Sequence, residues 1–266
     1  MATLAGKIRS VFAITAIAIL ITACNTGDAS VNPILPTILT PAEGQPKGLP
    51  PAGSCENDLL PVVQGASWNY YSAGGPNGDF FYTDTIIEST PTGFTLSSQF
   101  PTLTLTQKWF CAQEGLLALQ LGGGTTASVS MQNMIADFKT KEVSGLSLPR
   151  TIAPGMQWNY KLIMEGSEAA TGDSAQPPRI FNLAMQEMGY ETIYVPAGVF
   201  EAVKIQATFD AQINVDFQGS FFLYTVNGSS IHWYAPGVGL VKSIENIEFS
   251  GTPFTSTIEL QSYSIP

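Results

Sequence analysis

The sequence predicts an all-β, antiparallel protein, and three observations lead to this fold class. First, apolar or alternating runs typical of strands occur along the chain, as in residues 80–87, 199–209 and 240–249. Second, turn-forming residues separate these runs, among them the Asn227-Gly228 pair that favours a β-hairpin. Third, helical periodicity is nearly absent after the amino-terminal segment. In the rest of the chain, only residues 131–138 fit two turns of a helix. An antiparallel sandwich or a half-open barrel is therefore expected.

The amino-terminal residues 1–23 predict a lipoprotein signal peptide. Lys7 and Arg9 precede an apolar run, residues 11–21, that is about half the ~20 residues a membrane-spanning helix needs. The next residues, Thr22-Ala23-Cys24 after Ile21, resemble the lipobox of bacterial lipoproteins. The resemblance implies that Cys24 carries diacylglycerol and usually an N-linked acyl chain such as palmitate. Two acyl chains anchor a protein stably, so we expect an extracytoplasmic protein held on a membrane at the cell surface or in the periplasm.

Residues 24–55 predict a tether between this anchor and the folded part. The segment carries six prolines and little periodicity, a composition that keeps a chain semi-extended. The globular part is thereby expected to stand off from the bilayer.

Cysteine usage predicts one disulfide bond. With Cys24 lipidated, Cys55 and Cys111 remain, and an even remainder in an oxidising compartment favours pairing over the alternative of two buried free thiols. The bond would close a loop of about 55 residues and contribute about 4 kcal/mol to stability on the chain-entropy model. Two cysteines and a single histidine are too few for a structural zinc site, so no metal or cofactor is expected.

An internal duplication predicts two related β units, residues 56–146 and 147–266. Every tryptophan lies in one of two copies of the same pattern. The first copy consists of Trp68-Asn69-Tyr70 followed by Trp109-Phe110, and the second consists of Trp158-Asn159-Tyr160 followed by Trp233-Tyr234. Such repeats usually bury their apolar faces in the same way. The tryptophans lie 41 residues apart in the first copy and 75 in the second, which predicts two or three additional strands there.

Two motifs in the second half carry a family resemblance. The segments Val195-Pro196-Ala197-Gly198-Val199-Phe200-Glu201-Ala202 and Trp233-Tyr234-Ala235-Pro236-Gly237-Val238-Gly239-Leu240-Val241-Lys242 are similar to those of a group of uncharacterised bacterial secreted proteins and lipoproteins. The resemblance covers the chain from Leu148 onward. It implies an all-β extracytoplasmic domain with no established activity and no catalytic residues to carry over.

Charge and motif content disfavour several function classes. Loss of the signal peptide leaves nine of the 11 Lys and Arg against 21 Asp and Glu, a net charge near −12, with no basic stripe for nucleic acid. The lone histidine, His232, neighbours Trp233 in a strand, so it is expected on the opposite, solvent-facing side if the tryptophan is core. No Gly-x-Ser-x-Gly elbow is present, and we therefore expect no catalytic residues and no enzyme activity.

Three functions stay open on these grounds. The first is a non-enzymatic binding or envelope-interaction module with a glycan, peptide or lipid ligand, suggested by the abundance of aromatic residues around the repeated motifs. The second is a carrier of an apolar ligand, such as a lipid or acyl chain, in a half-open barrel. The third is a polysaccharide hydrolase that uses paired carboxylates, for which the candidate pairs are Asp79 with Asp84, Glu165 with Glu168, Asp210 with Asp216, and Glu245 with Glu248.

Overall fold

The computed structural model describes residues 45–75, 78–122, 138–166, 179–217, 220–249 and 251–266. The predicted signal peptide, Cys24 and residues 131–137 of the possible helix lie outside these ranges, and Phe138, the last residue of that prediction, is in a strand. The described chain forms thirteen strands: β1 (Ser67–Ala73), β2 (Phe80–Thr90), β3 (Gly93–Gln99), β4 (Thr104–Cys111), β5 (Gly115–Ala118), β6 (Phe138–Gly145), β7 (Leu148–Pro149), β8 (Gln157–Gly166), β9 (Arg179–Val195), β10 (Gly198–Phe217), β11 (Ser220–Ala235), β12 (Gly239–Phe249) and β13 (Thr252–Ser264).

All thirteen strands belong to one antiparallel sheet in the order β6-β8-β9-β10-β11-β12-β13-β1-β2-β3-β4-β5-β7. The predicted all-β antiparallel class is confirmed. The last strand, β13, pairs with the first, β1, so the carboxyl-terminal half of the sheet continues directly into the amino-terminal half. No helix in the described ranges is long and apolar enough to cross a membrane.

The two copies of the sequence repeat correspond to two five-stranded meanders, β1–β5 and β8–β12. The Trp-Asn-Tyr motif lies on the first strand of each meander, and the second tryptophan lies on the fourth. The extra length of the second copy is not used for additional strands within the described residues, which corrects the sequence-based expectation. It lies in longer strands, because β9, β10 and β11 have 17, 20 and 16 residues where β2, β3 and β4 have 11, 7 and 8.

The sheet curves until its two ends meet without forming a closed hydrogen-bond ladder, in agreement with the predicted half-open barrel. At the meeting point Leu146 N donates to Asn159 O on β8, and Ser147 N donates to Leu116 O on β5, both at 2.9 Å. Both predicted units contribute strands to the same sheet, since β6 pairs with β8 and β7 pairs with β5. The boundary between residues 146 and 147 stays a prediction.

The glycine that both copies carry at the start of the fifth strand is required by close packing. Gly239 has φ of +116°, and a Cβ there would lie 3.2 Å from Trp68 Nε1. A Cβ at Gly115 would lie 2.3 Å from Leu148 O. A side chain at Gly115 would therefore collide with the β7 backbone, and one at Gly239 would crowd the Trp68 indole.

The hairpin end of β9 and β10 bends back over the outside of the sheet. A bulge interrupts the β9–β10 ladder between Val203 and Ile205, and beyond it Ala197 N donates to Leu260 O on β13 at 3.1 Å. The inward side of this hairpin covers Trp233, whose indole N–H donates to Glu191 at 2.9 Å while Lys204 lies over its ring. Trp233 is consequently buried on the outer face of β11.

The end of the predicted tether, residues 45–55, is attached to the sheet. Lys47 N donates to Lys141 O and Lys47 O accepts from Val143 N, so the chain here runs along β6. The predicted disulfide between Cys55 and Cys111 is confirmed, with a Cα–Cα distance of 4.9 Å. It fixes the start of the globular part to the end of β4.

Candidate functional site

The concave face of the sheet lines a half-open cavity of about 260 Å³. Its wall is mostly apolar and contains three of the four tryptophans, Trp68, Trp109 and Trp158, together with aliphatic and phenyl side chains from strands of both meanders. At ~30 Å³ per water molecule, the space would hold about nine waters or a ligand of roughly ten non-hydrogen atoms. A largely apolar hollow with a few convergent polar groups is the usual form of a small-molecule site.

The tyrosine of each Trp-Asn-Tyr motif holds the two meanders together at the cavity wall. Tyr70 on β1 donates to Leu240 O on β12 at 3.0 Å, and Tyr160 on β8 donates to Ala118 O on β5 at 2.6 Å. Burial raises the pKa of both hydroxyls well above the ordinary value, so they remain protonated donors. The tyrosine of each repeated motif thus links the first strand of one meander to the fifth strand of the other at the cavity wall.

The tryptophans of the same motif are not equivalent. The Trp68 N–H donates to Val238 O, whereas the Trp158 N–H has no hydrogen-bond partner in the described structure although the residue is only 8% exposed. A buried N–H without a partner costs about 1–3 kcal/mol. The second copy of the repeat therefore has an indole N–H in the cavity wall without a hydrogen-bond partner, whereas the equivalent N–H of the first copy is bonded to the chain itself.

Two carboxyl groups and several tyrosines form the polar part of the wall. Asp84 on β2 accepts a hydrogen bond from Ser98, and burial raises the pKa of this carboxyl to about 7. Glu245 on β12 is 3% exposed and accepts from Ser256 at 3.3 Å. Burial raises the pKa of Tyr82 well above its usual value, and the negative charges of Asp84 and Glu245 raise it further, so both carboxyls act on this one hydroxyl.

No lysine or arginine lines the cavity among the residues that the structure describes. The neighbouring Tyr234 also feels the Asp84 charge after the larger effect of burial, and its pKa rises to about 12. The wall thus combines acidic side chains with aromatic rings.

His232 lines the cavity, which corrects the expectation that it faces solvent. It does lie on the side of β11 opposite Trp233, as predicted, but the folded-back hairpin covers the tryptophan and leaves the histidine facing inward. Burial lowers the pKa of His232 to about 4, so the imidazole is neutral at neutral pH. Its Nε2 lies 2.7 Å from Ser230 Oγ, while its buried Nδ1 has no partner in the described chain.

This Ser230–His232 pair lacks two properties of a catalytic dyad. No carboxylate bonds to Nδ1 to orient the ring, and an imidazole with a pKa near 4 is a weak base at neutral pH. The pair is better suited to hydrogen bonding with a bound molecule than to activating a nucleophile.

Of the carboxylate pairs proposed from sequence spacing, Asp79 with Asp84 and Glu245 with Glu248 are described in full, and neither pair shares the cavity. Asp79 lies outside the cavity and accepts from Tyr71 at 2.8 Å, and Asp210 is exposed and accepts from Asn182 at 2.9 Å. Glu248 is exposed, and the remaining partners, Glu168 and the Asp216 side chain, lie outside the described residues. The fold instead brings Asp84 and Glu245, one member from each of two pairs, to the same cavity.

Comparison with known proteins assigns the family. The family model described as DUF3108-like matches residues 111–257, more than half of the chain. The chain belongs to the DUF3108-like family. The matched segment runs from the end of β4 into β13 and includes all of the second meander. No curated protein matches the sequence of this DUF3108-like chain at a significant level.

Two solved structures are similar to the DUF3108-like chain. One, described as an exported protein with a YmcC-like fold from Bacteroides fragilis NCTC 9343, has 15% identity and a TM-score of 0.47 and covers 80% of this chain and 100% of its own. The other, described as a lipoprotein from Parabacteroides distasonis ATCC 8503, has 16% identity and a TM-score of 0.42, with coverages of 79% and 99%.

The aromatic residues on and around the repeated motifs divide into three groups in the DUF3108-like fold. Seven line the cavity, namely Trp68, Tyr70, Tyr82, Trp109, Trp158, Tyr160 and Tyr234. Others lie outside it, such as Phe81, which is 62% exposed, and the buried Trp233. The side chains of Phe221, Phe222 and Tyr224 lie outside the described part of the structure.

Sequence reasoning missed the polar wall, although its pattern is visible in the strands. Ser230, His232 and Tyr234 alternate along β11, and Tyr82 and Asp84 alternate along β2, so each set shares one face of its strand. Polar residues at period two on the same face as buried aromatic residues are the pattern that would have indicated a lined cavity.

Proposed function

We propose that this protein is an extracytoplasmic lipoprotein, anchored through Cys24, that binds a small and largely apolar ligand in its cavity without catalysing a reaction. Of the three functions left open by the sequence, the carrier of an apolar ligand has the strongest support. The observation that carries it is the half-open cavity of about 260 Å³, lined mostly by apolar side chains from both meanders.

Ligand binding can be tested with a neutral probe of matching size, 1-octanol, by calorimetry and by quenching of tryptophan fluorescence. We expect saturable binding at one site, since three tryptophans line the cavity. Ala118→Leu would extend a side chain into the cavity and should abolish binding while stabilising the fold. The same substitution at the exposed Ala52 is the control. Unchanged octanol binding by Ala118→Leu would contradict the proposed site.

The lipid anchor is supported by the lipobox-like Ile21-Thr22-Ala23-Cys24 and by the disulfide, which is typical of an oxidising compartment. The test is metabolic labelling with radioactive palmitate followed by fractionation. Cys24→Ala should lose the label and leave the membrane fraction. Equal membrane association without any label in the wild-type protein would show that the anchor assignment is wrong.

The absence of catalysis is part of the proposal and has its own test. Asp84 and Glu245 share a cavity, which is the observation that favours a polysaccharide hydrolase, because a carboxyl with a pKa of about 7 suits a general acid. We expect no release of reducing sugar ends from cell-surface polysaccharides. Release that disappears in both Asp84→Asn and Glu245→Gln would favour the hydrolase instead.

An envelope-interaction module is supported by a different surface. The outward side of the β9–β10 hairpin exposes Tyr190 and Tyr194, at 66% and 72%, together with Met188 and Val199. Contiguous exposed apolar side chains are a common feature of protein interaction sites. Replacement of both tyrosines by serine should leave octanol binding intact, so that any loss of membrane or protein contacts in cells can be assigned to this surface.

A further inference from the structure

The unpaired indole N–H of Trp158 bears on the chemistry of the ligand. Trp158 lines the cavity, and its N–H is buried without a hydrogen-bond partner in the described structure. We infer that the ligand carries an uncharged carbonyl group on its apolar body, and that the carbonyl oxygen accepts a hydrogen bond from Trp158. This inference rests on the proposed ligand-binding function.

The first copy of the repeat shows what satisfies an indole at this position. Trp68 and Trp158 are each the second residue of the first strand of their meander, β1 and β8. The Trp68 N–H donates to Val238 O, a backbone carbonyl that the opposite meander provides directly before β12. A carbonyl oxygen is therefore the acceptor that the first copy has and the second copy lacks.

The segment that closes the sheet takes the corresponding carbonyl of the second copy. Glu114 O lies directly before the first residue of β5, as Val238 O lies directly before the first residue of β12. It accepts a hydrogen bond at 2.8 Å from Arg150 N, which follows β7 where the two ends of the sheet meet. The fold uses this acceptor to close the sheet, and no carbonyl of the described chain bonds to the Trp158 N–H.

The chemistry of the indole and of the wall around it selects a carbonyl. An indole N–H only donates, whereas His232 Nδ1, also unpaired in the described wall, donates or accepts according to its tautomer. The partner of Trp158 must therefore be an acceptor. Because the wall is mostly apolar, an uncharged oxygen loses less hydration there than a carboxylate would. A carbonyl also brings no donor that needs a partner of its own.

The test uses two probes with the same carbon skeleton, ethylbenzene and acetophenone, of which only acetophenone has a carbonyl oxygen. Both are within the roughly ten non-hydrogen atoms that the cavity holds. Calorimetry compares the variant with the wild type for each probe separately, because the carbonyl also changes the hydration of the free probe. Trp158→Phe should weaken acetophenone binding about tenfold, the effect of one hydrogen bond to a buried group, and change ethylbenzene binding less than about threefold.

Trp68→Phe is the matched control. It removes an indole of the same size from the same wall, but one whose N–H is already bonded to the chain, so it should change the affinities for both probes by a similar factor. A second measurement uses the wild-type protein. In proton–nitrogen NMR spectra, the Trp158 indole proton should move downfield on titration with acetophenone, as expected for a new hydrogen bond, and not on titration with ethylbenzene.

The outcomes distinguish an error in the carbonyl from an error in the binding site. If Trp158→Phe changes the affinities for both probes by the same factor, or acetophenone moves the indole proton no further than ethylbenzene does, the carbonyl is wrong while the apolar site remains. If neither probe nor 1-octanol binds to the wild-type protein, the proposed ligand-binding function fails and the carbonyl fails with it.

Discussion

The carboxyl group of Asp84 is predicted to destabilise the folded protein above neutral pH. Burial raises its pKa from 3.8 to about 7, even though Ser98 donates a hydrogen bond that acts in the opposite direction. Between these two pH values the unfolded chain has released the proton and the folded chain retains it, so stability from this group is present below pH 4 and is lost as the pH rises towards 7. About three pH units at ~1.4 kcal/mol each give a penalty of roughly 4 kcal/mol as an upper bound.

Asp84→Asn removes the charge and still presents an oxygen to Ser98. At pH 8 we expect the variant to be more stable than the wild type by up to roughly 4 kcal/mol. The difference should shrink steadily below pH 7 and nearly vanish at pH 4. The assay is urea denaturation at pH 4, 6 and 8, followed by tryptophan fluorescence.

The exposed Asp210, which accepts a hydrogen bond from Asn182, is the control position, and Asp210→Asn should not reproduce this pattern. A variant at position 84 that is less stable than the wild type at pH 8 would refute the reasoning. So would a stability difference that is the same at all three pH values, because the effect would then not come from titration.

Two further predictions concern contacts between distant parts of the fold. Replacement of both Cys55 and Cys111 by serine should lower the free energy of unfolding by about 4 kcal/mol, and reduction of the wild-type disulfide should lower it by a similar amount. Both are measured by urea denaturation, and an unchanged midpoint would contradict the prediction. Trp68→Phe removes the hydrogen bond to Val238 O and leaves that carbonyl without its donor, so the free energy of unfolding should fall by about 2 kcal/mol. The measurement is thermal unfolding, with Trp158→Phe as the matched variant. Trp158→Phe should lose less stability, because the Trp158 N–H that it removes has no hydrogen-bond partner in the described structure. Equal losses of stability in the two variants would contradict the asymmetry of the two repeats.

The sequence was sufficient to predict features that depend on local pattern. Period-two alternation and turn residues predicted the antiparallel strands, and an even number of cysteines after Cys24 predicted the disulfide between Cys55 and Cys111. The repeated Trp-Asn-Tyr motif predicted related substructures, which correspond to the first strands of the two meanders.

The candidate site could not be predicted in the same way, because it depends on long-range geometry. Asp84 and Glu245 are 161 residues apart in the chain, and they line one cavity because β13 pairs with β1 and brings β12 close to β2. The inward direction of His232 follows from a hairpin that folds over the opposite side of β11. Alternation shows which residues share a face but not which face will be covered.

The reciprocal bonds of Tyr70 and Tyr160 make each meander depend on the other. Each tyrosine is bonded to the fifth strand of the other meander, so neither meander contains the partner for its own tyrosine. Such mutual exchange is the contact pattern of a twofold-symmetric dimer, in which each subunit gives what it receives. Within one chain, the two five-stranded meanders therefore enclose the cavity in the way that the two subunits of such a dimer would. The unpaired indole of Trp158 is a point at which the two halves depart from this symmetry.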